Sequence, residues 1–464
     1  MTLLHYVGAV LILLLITLLG WYSGTWVKTA NDFIAGGRKA GAGIVAGSII
    51  GTLVGGSSTI GTAQLAFTWG LSAWWFTLGS GIACLILGFF YAKPLRESGV
   101  DTMPQLLHRE YGQKVATTAA LLTSMGNFLS VVAQVLSSVA LVTSISIMPA
   151  PVVTVITCLL MIAYVIFGGI WGAGIVGAAK TMLLALSVGV CGLTALYWQG
   201  GLALFIEALP AEHFTSLIAR GAPKDLGVGL SMLMGVLTTQ AYFQAIVSAR
   251  TLNLAKGGAL ISAIVIPSIG ACGILVGLYM RVHFPDIPSA GALPLFVLEY
   301  MPPLFGGMIL ATLFVTVVGT AAGVSLGLSS ILCNDIYCVY GDTNPSDKKK
   351  LFVSRLILAG ILVAAGLTSF LNMGSLILSW SIMSMALRGV VACGILTFAL
   401  FLPGHISPAY AMCAMLAGLA CVVFGNPLVG EFMDPLFLGF AVGLLILFAG
   451  YRRAGLRHAG PGKS

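Results

Sequence analysis

Two positively charged residues, Lys180 and Arg388, lie deep inside long hydrophobic stretches of this 464-residue sequence. A charge at the centre of a membrane helix costs about 3 kcal/mol or more, so such residues usually have a functional or pairing role. A desolvated lysine can gain and lose a proton, whereas arginine keeps its charge and offers five N–H donors in one plane. Lys180 is therefore suited to proton exchange, and Arg388 to binding a carboxylate. The competing interpretations are a Lys180 that snorkels to the cytoplasmic interface and an Arg388 bonded to backbone carbonyls in helix packing.

Polar residues also interrupt the hydrophobic stretch 51–64, which reads GTLVGGSSTIGTAQ. Gly55 and Gly56, followed by three hydroxyl residues, can unwind a helix within a membrane only where protein or a cavity satisfies the freed carbonyls. Broken helices of this kind build transporter binding sites near the midplane. Close packing between helices is the alternative, because small residues favour that too. A similar mixture at 227–244, five predicted spans later, indicates two five-helix repeats.

The elements that carry these residues are predicted to be membrane helices. Hydrophobic residues make up 58% of the chain and charged residues 8%, and the mean hydropathy is +1.04. Because a span needs about 20 apolar residues, the sequence predicts an all-α polytopic membrane protein with about thirteen transmembrane helices. They are placed near 3–24, 43–66, 70–92, 115–147, 150–168, 174–198, 227–248, 257–281, 303–334, 351–371, 374–402, 408–425 and 435–451.

The distribution of positive charge predicts the orientation. Lys and Arg are retained on the cytoplasmic side during insertion, and 17 of the 22 in this chain fall in loops on one side, against three on the other. We therefore expect a multi-pass protein of the cytoplasmic membrane with its N-terminus outside and its C-terminus inside. The net charge of +8 follows from this topology and indicates no binding of nucleic acid.

Motifs of enzymes and metal sites are absent from the sequence. The nine cysteines form no closely spaced pair, and no nucleophile elbow, phosphate loop or zinc-binding pattern occurs. We therefore predict no enzyme activity, no cofactor and no metal site.

Six motifs between the predicted spans resemble those of the sodium:solute symporter family. They occur in the family's order, and the resemblance extends from about residue 32 to 388. The resemblance implies a LeuT-type fold of two inverted five-helix repeats, and secondary transport of solutes such as sugars, amino acids, sialic acids or vitamins. The motifs are DFIAGGRK at 32–39, VDTMPQLLHREYG at 100–112, FGGIWGA at 167–173, ARTLNLAKGGA at 249–259, ALPLFVLEYMPPLFGGMILATL at 292–313 and SSILCNDIY at 329–337.

The resemblance also implies a division of the chain. Residues 1–40 form an extra N-terminal helix and the first cytoplasmic loop, and residues 41–200 form the first repeat. Residues 201–402 form the second repeat, and residues 403–464 form two C-terminal helices and a cytoplasmic tail.

The resemblance implies coupling to a bound sodium ion, but the family's sodium site is altered in this sequence. It falls on the carbonyls of Gly51 and Val54 and on the side chains at Gly319 and Thr320. Gly319 supplies no hydroxyl, the family's nearby carboxylate is missing, and Lys180 stands one helical turn from the position of that carboxylate. We hypothesise that the Lys180 ammonium replaces sodium and donates to Gly51, Val54 and Thr320, which would make transport proton-coupled or sodium-independent.

The solute pocket is predicted at the break and in the sixth core helix. The family's sugar-contacting positions fall on Leu53, Gly55, Ser57 and Ser58. Only the two serines are polar, so a hexose held by many hydroxyl contacts is not expected. The further candidates, each with helix packing as the alternative, are Gln64, Gln240, Tyr242, Phe243 and Gln244, with Arg388 as the contact for an anion.

The function predicted from the sequence is secondary transport of a small organic solute, preferably an organic anion, by alternating access. The expected partners are this solute and the lipid bilayer, and the oligomeric state is left open. Two alternatives stand beside it: an uncoupled uniporter or exchanger, and a membrane sensor module derived from a transporter.

Overall fold

The computed structural model describes residues 1–24, 40–100, 102–168, 175–209, 214–341, 345–429 and 433–458. These residues are helical apart from short connections and one isolated bridge between Ala40 and Ala249. Two of the sequence motifs, 32–39 and most of the Gly-Gly turn at 167–173, lie outside the described residues.

The helices are numbered here in chain order, and three π-helical turns interrupt or extend them. The turns are Ser57–Gly61, Leu87–Tyr91 and Leu332–Gly341. The helices are α1 (Leu3–Gly24), α2 (Ala42–Leu53), α3 (Thr62–Trp69), α4 (Trp74–Ile86), α5 (Ala92–Glu97), α6 (Met103–Tyr111), α7 (Gln113–Ile145), α8 (Ala150–Gly168), α9 (Ile175–Gln199), α10 (Leu202–Ala208), α11 (Ala222–Leu237), α12 (Gln240–Ser248), α13 (Leu252–His283), α14 (Ala292–Tyr300), α15 (Pro303–Ile331), α16 (Asp347–Leu371), α17 (Ile377–Phe401), α18 (Pro408–Phe424), α19 (Asn426–Val429) and α20 (Pro435–His458).

Seven stretches of the described chain are long and apolar enough to cross a membrane, and the bent pair α11 and α12 would make an eighth. Several other apolar stretches, among them α2, α18 and Pro435–Tyr451 of α20, are shorter. Large hydrophobic side chains cover the outside of the bundle, such as Leu186 and Phe90, which are 57% and 63% exposed. Such a surface is suited to lipid. The helical, membrane-embedded class is thus confirmed, whereas the number of thirteen spans stays a prediction.

Capping residues explain why two of the sequence motifs form helix starts. Thr102 accepts a hydrogen bond from the Gln105 amide at the start of α6, and Pro104 follows in the first turn, where it needs no N–H partner. In the same way Thr251 accepts from the Leu254 amide at the start of α13. Both caps lie at the end of the bundle that is rich in Lys and Arg.

Two broken helices lie within the packed bundle. The first consists of α2, the π-helical turn at Ser57–Gly61 and α3, and the second consists of α11 and α12, which meet at an angle of 51°. Helix α13 packs against both halves of the first, α9 packs against α2, and α17 packs against α7 and α11. This packing brings α2, α9 and α15 together around Lys180 and brings α7, α17 and α11 together around Arg388.

Candidate functional site

The first broken helix opens at two glycines that have no room for a side chain. Val54 adopts an extended conformation after α2 (φ −86°, ψ 93°), and the chain becomes helical again at Gly56. A Cβ atom on Gly55 would lie 2.7 Å from Gln134 Oε1, and one on Gly56 would lie 2.3 Å from Ser137 Cβ. Helix α7 can therefore approach the break closely enough for its side chains to bond to the backbone.

Lys180 reaches the end of α2 from the second turn of α9. Its ammonium donates to the carbonyl oxygen of Gly51 at 3.0 Å and to the hydroxyl of Thr320 at 3.1 Å. A third bond, at 3.4 Å, goes to the carbonyl oxygen of Thr316, one turn before Thr320 on α15. Lys180 is only 6% exposed, so the ammonium is held between α2 and α15 rather than in the interfacial solvent.

The acceptor set differs in one member from the set proposed on sequence. Within the described chain, the structure gives Lys180 no bond to Val54, and the Thr316 carbonyl supplies the third acceptor. Gly319, half-buried on α15, has no hydroxyl to offer. The Thr316 hydroxyl is buried and has no hydrogen-bond partner among the described residues, so the neighbourhood holds one further polar oxygen.

A chain of polar side chains links the break to α7 and α17. The Gly56 amide donates to Gln134 Oε1 at 2.9 Å, and Gln134 Nε2 is 3.5 Å from Ser57 Oγ. Ser57 Oγ in turn lies 2.5 Å from Ser381 Oγ on α17. These groups are buried, and together they offer donors and acceptors beside the unwound backbone.

Arg388 lies on the same helix as Ser381, two turns further along α17, and is 4% exposed. Its Nη1 donates to Asn127 Oδ1 at 2.9 Å and to Thr239 Oγ1 at 3.2 Å, at the break between α11 and α12. Its Nε and Nη2 donate to the carbonyl oxygen and hydroxyl of Ser384 at 3.2 and 3.1 Å, and Nη2 also approaches Met385 Sδ at 3.0 Å. All of these acceptors are uncharged, so they do not neutralise the guanidinium. The positive charge of Arg388 therefore lies in the core, beside the second broken helix.

A model of the sodium:solute symporter family matches residues 33–418. The chain belongs to this family. It is 25% identical over 360 residues to the human high affinity choline transporter 1, covering 72% of this chain and 61% of that protein. It is 26% identical over 370 residues to the monocarboxylic acid transporter of Corynebacterium glutamicum, covering 72% of this chain and 67% of that protein. The chain spans less than two thirds of the length of the choline transporters that it matches.

Among solved structures, the chain matches a substrate-bound, outward-open Na⁺-coupled sialic acid symporter with a TM-score of 0.78. The match covers 98% of both chains at 19% identity. It shows that the chain has the LeuT-type fold of that symporter. The family and these relatives are transporters rather than enzymes, and this chain is an integral membrane protein.

Two residues that the sequence predicts for the solute pocket tie helices together. Gln64 Oε1 accepts from the Ile377 amide at 3.0 Å, which ties α3 to the start of α17. Gln240 Oε1 accepts from the Met103 amide at 2.8 Å, which ties α12 to α6.

The remaining candidates lie within the packed helices. Ser58 donates to the carbonyl oxygen of Leu53, which is itself buried. Tyr242 and Phe243 are buried in α12, and Gln244 is half-buried. The structure therefore brings Ser57 and the Gly55-Gly56 backbone to the polar chain described above, whereas these side chains contribute to the surrounding helix packing.

At the end of the bundle that is rich in Lys and Arg, backbone hydrogen bonds join the two broken helices. The Ala40 amide donates to the Ser248 carbonyl at 3.1 Å, and the Arg250 amide donates to the Ala40 carbonyl at 2.9 Å. Arg96 on α5 donates from Nη1 to the carbonyl oxygens at the end of α12. Those acceptors belong to Ile246, Val247 and Ala249. These bonds hold the two broken helices together at this end, and we call this contact the basic gate: Ala40, Arg96 and 246–250.

Sequence reasoning missed Gln134, Ser381 and Arg96. Gln134 gives a visible signal, since it is a lone carboxamide in the apolar segment SVVAQVLSSVA of α7. Ser381 precedes Arg388 by seven residues, which places both on one face of α17. Arg96 gives no signal of this kind, because one arginine in a basic loop resembles the others.

Proposed function

We propose that this protein is a secondary transporter of a small organic solute, in which the Lys180 ammonium takes the place of a coupling sodium ion. The supporting observation is the position of the ammonium, bonded to the Gly51 carbonyl and the Thr320 hydroxyl. Those are two of the oxygens that the family resemblance assigns to sodium. A hard cation needs several oxygen ligands, and here the ammonium engages them.

The same contacts explain how Lys180 would link its protonation to the transport cycle. A protonated Lys180 joins α2 to α15, and a neutral amine would hold the two oxygens less strongly, because charge-assisted hydrogen bonds are roughly twice as strong. Movement of α2 relative to α15 would therefore favour release of the proton. Transport would be independent of sodium and driven by a proton gradient.

We propose that the solute is a small organic anion bound at the break. The buried side chains of the described core include the two cations Lys180 and Arg388, and the one buried carboxylate, Asp225, is paired with Arg220 at 2.6 Å. Uncompensated buried charge is unfavourable, so an anionic solute would balance it. The monocarboxylic acid transporter among the relatives agrees with this choice, and Ser57, Gln134 and Ser381 would supply the polar contacts.

Uptake into liposomes tests the coupling. Purified protein is reconstituted, and uptake of small monocarboxylates is measured under a sodium gradient alone and under a proton gradient alone. We expect accumulation with the proton gradient only. Accumulation with sodium alone would contradict the proposal, and equilibration without accumulation under either gradient would identify an uncoupled uniporter or exchanger.

A double variant tests the role of Lys180 itself. Lys180→Gln should abolish the proton-driven accumulation, whereas Lys114→Gln, at an exposed position at the start of α7, should leave it unchanged. Adding Gly319→Ser to Lys180→Gln supplies the missing hydroxyl and removes the ammonium. We expect sodium to stimulate uptake by this double variant, and wild-type behaviour in both variants would show that Lys180 has only a packing role.

A further inference from the structure

An apolar groove lies on the outer surface of the bundle, between α4 with its following π-helical turn and the start of α13. Its volume is about 100 Å³. The buried Cys84 forms its floor, and Leu85, Phe89 and Leu260 line it with 37%, 59% and 42% of their surfaces exposed. None of these lining residues belongs to the polar site around the broken helices, so the proposed transport mechanism makes no use of the groove.

Two glycines allow the groove to form. A Cβ atom on Gly88 would lie 2.9 Å from Ala259 Cβ and 3.6 Å from the Lys256 carbonyl oxygen, so the π-helical turn and α13 are in close contact beneath the groove. Gly257 adds no side chain to its wall. The result is a groove that is open to the lipid, with helix backbone on one side and exposed apolar side chains on the other.

One end of the groove is positively charged. Lys256, half-exposed in the second turn of α13, lines the groove and has no ion-pair partner among the described residues. Lys93 on α5 lies near the same end of the bundle but is paired with Glu97 at 3.9 Å. An apolar groove that ends at one unpaired cation is complementary to a phospholipid with an anionic headgroup.

We propose that this groove binds an anionic phospholipid, whose acyl chain lies along Leu85, Phe89 and Leu260 and whose phosphate contacts Lys256. The acyl chain gains van der Waals contacts with these side chains, and a basic residue near the membrane surface contributes about 1 kcal/mol of attraction to anionic lipid. The bound lipid joins α4 and its π-helical turn to α13, the helix that follows the basic gate.

Native mass spectrometry of the full chain in detergent tests this site. The protein is titrated with phosphatidylglycerol, with phosphatidylcholine of the same acyl chains, and with glycerol phosphate as a soluble headgroup. We expect a saturable adduct with phosphatidylglycerol, and binding about fivefold weaker for Lys256→Gln. Lys93→Gln, a matched lysine outside the groove, should bind as the wild type does. Leu260→Trp, which fills the groove, should also weaken binding.

Four results would overturn the proposal. Equal binding of phosphatidylcholine would remove the role of charge, and equal binding of glycerol phosphate would remove the role of the groove. An equal loss in Lys256→Gln and Lys93→Gln would indicate general surface attraction. If Leu260→Trp left lipid binding intact but dissociated an oligomer, the groove would be an interface between copies of this chain.

Discussion

At the scale of single residues, the two buried cations have different kinds of partner. Lys180 has three oxygen acceptors from α2 and α15, a set that a small cation could share. Arg388 uses every N–H of its guanidinium on uncharged acceptors from α7, α17 and the second break. An anion can bind Arg388 only by displacing some of these acceptors, so anion binding and a shift of α17 against the second break would be linked.

Replacement of Arg388 should therefore affect both stability and selectivity. We expect Arg388→Gln to destabilise the protein by about 2–3 kcal/mol, because Asn127 and Thr239 lose a buried donor. Among solutes that are still transported, the preference for anions over neutral analogues should fall. Thermal unfolding in detergent and competition uptake measure the two effects.

An exposed arginine serves as the control for this variant. Arg109 is 47% exposed and donates to the Ser98 carbonyl. Arg109→Gln should therefore have little effect on the thermal stability or on the preference for anions. If Arg388→Gln unfolds at the wild-type temperature and keeps the anion preference, then Arg388 has neither role.

At the scale of elements, Gly56 has the tighter of the two glycine contacts at the break in the first core helix. Gly56→Ala would place a Cβ atom 2.3 Å from Ser137 Cβ, and such overpacking costs about 1–3 kcal/mol. We expect lower thermal stability and little uptake. Ser137→Gly added to Gly56→Ala should recover part of both, because it removes the clashing atom.

Gly43, near the start of α2, is the matched control, since a Cβ atom there would meet nothing within 4 Å. Alanine favours a helix interior over glycine by about 1 kcal/mol, so Gly43→Ala should be neutral or stabilising. A Gly56→Ala protein as stable and active as Gly43→Ala would show that the close approach of α7 is not required.

The basic gate depends on a second element contact, the one between α5 and α12. Arg96→Gln removes a charged donor from the carbonyls at the end of α12, where hydrogen bonds to charged groups contribute about 1.5–3 kcal/mol. We expect the Arg250 amide, which donates to Ala40, to exchange its hydrogen about tenfold faster or more. Hydrogen–deuterium exchange of the peptide around 246–252 measures this, with Lys93→Gln as the control. Unchanged exchange in Arg96→Gln would show that the backbone bridge is sufficient.

At the scale of the whole molecule, the sequence predicts the class and the family because both depend on many residues. The break could be predicted because two glycines followed by three hydroxyl residues interrupt an apolar stretch. The Thr316 carbonyl could not be identified, because every residue has a carbonyl and only the fold selects one. Gln134 and Ser381 were missed because their roles depend on the approach of α7 and α17 to the break. The number of spans stays a prediction, since several helices are shorter than the length that marks a span.

The orientation of the molecule is a further prediction that α7 makes testable. This helix has 33 residues and is therefore about 50 Å long, which exceeds the hydrocarbon core of about 30 Å. Its two ends should reach opposite sides of the membrane. The end at Gln113 lies near Lys93, Arg96 and Lys114, so the positive-inside rule places it in the cytoplasm.

Cysteines introduced at the two ends of α7 report the side directly. Ile147, after the other end, is fully exposed, and Gln113 is exposed as well. The native exposed cysteine, Cys413, is first replaced by serine to lower the background. We expect a membrane-impermeant maleimide to label Ile147→Cys in intact cells and Gln113→Cys only after permeabilisation. The reverse pattern would place the basic gate, and the cation of the lipid groove, on the outer side of the membrane, where the positive-inside argument does not allow them.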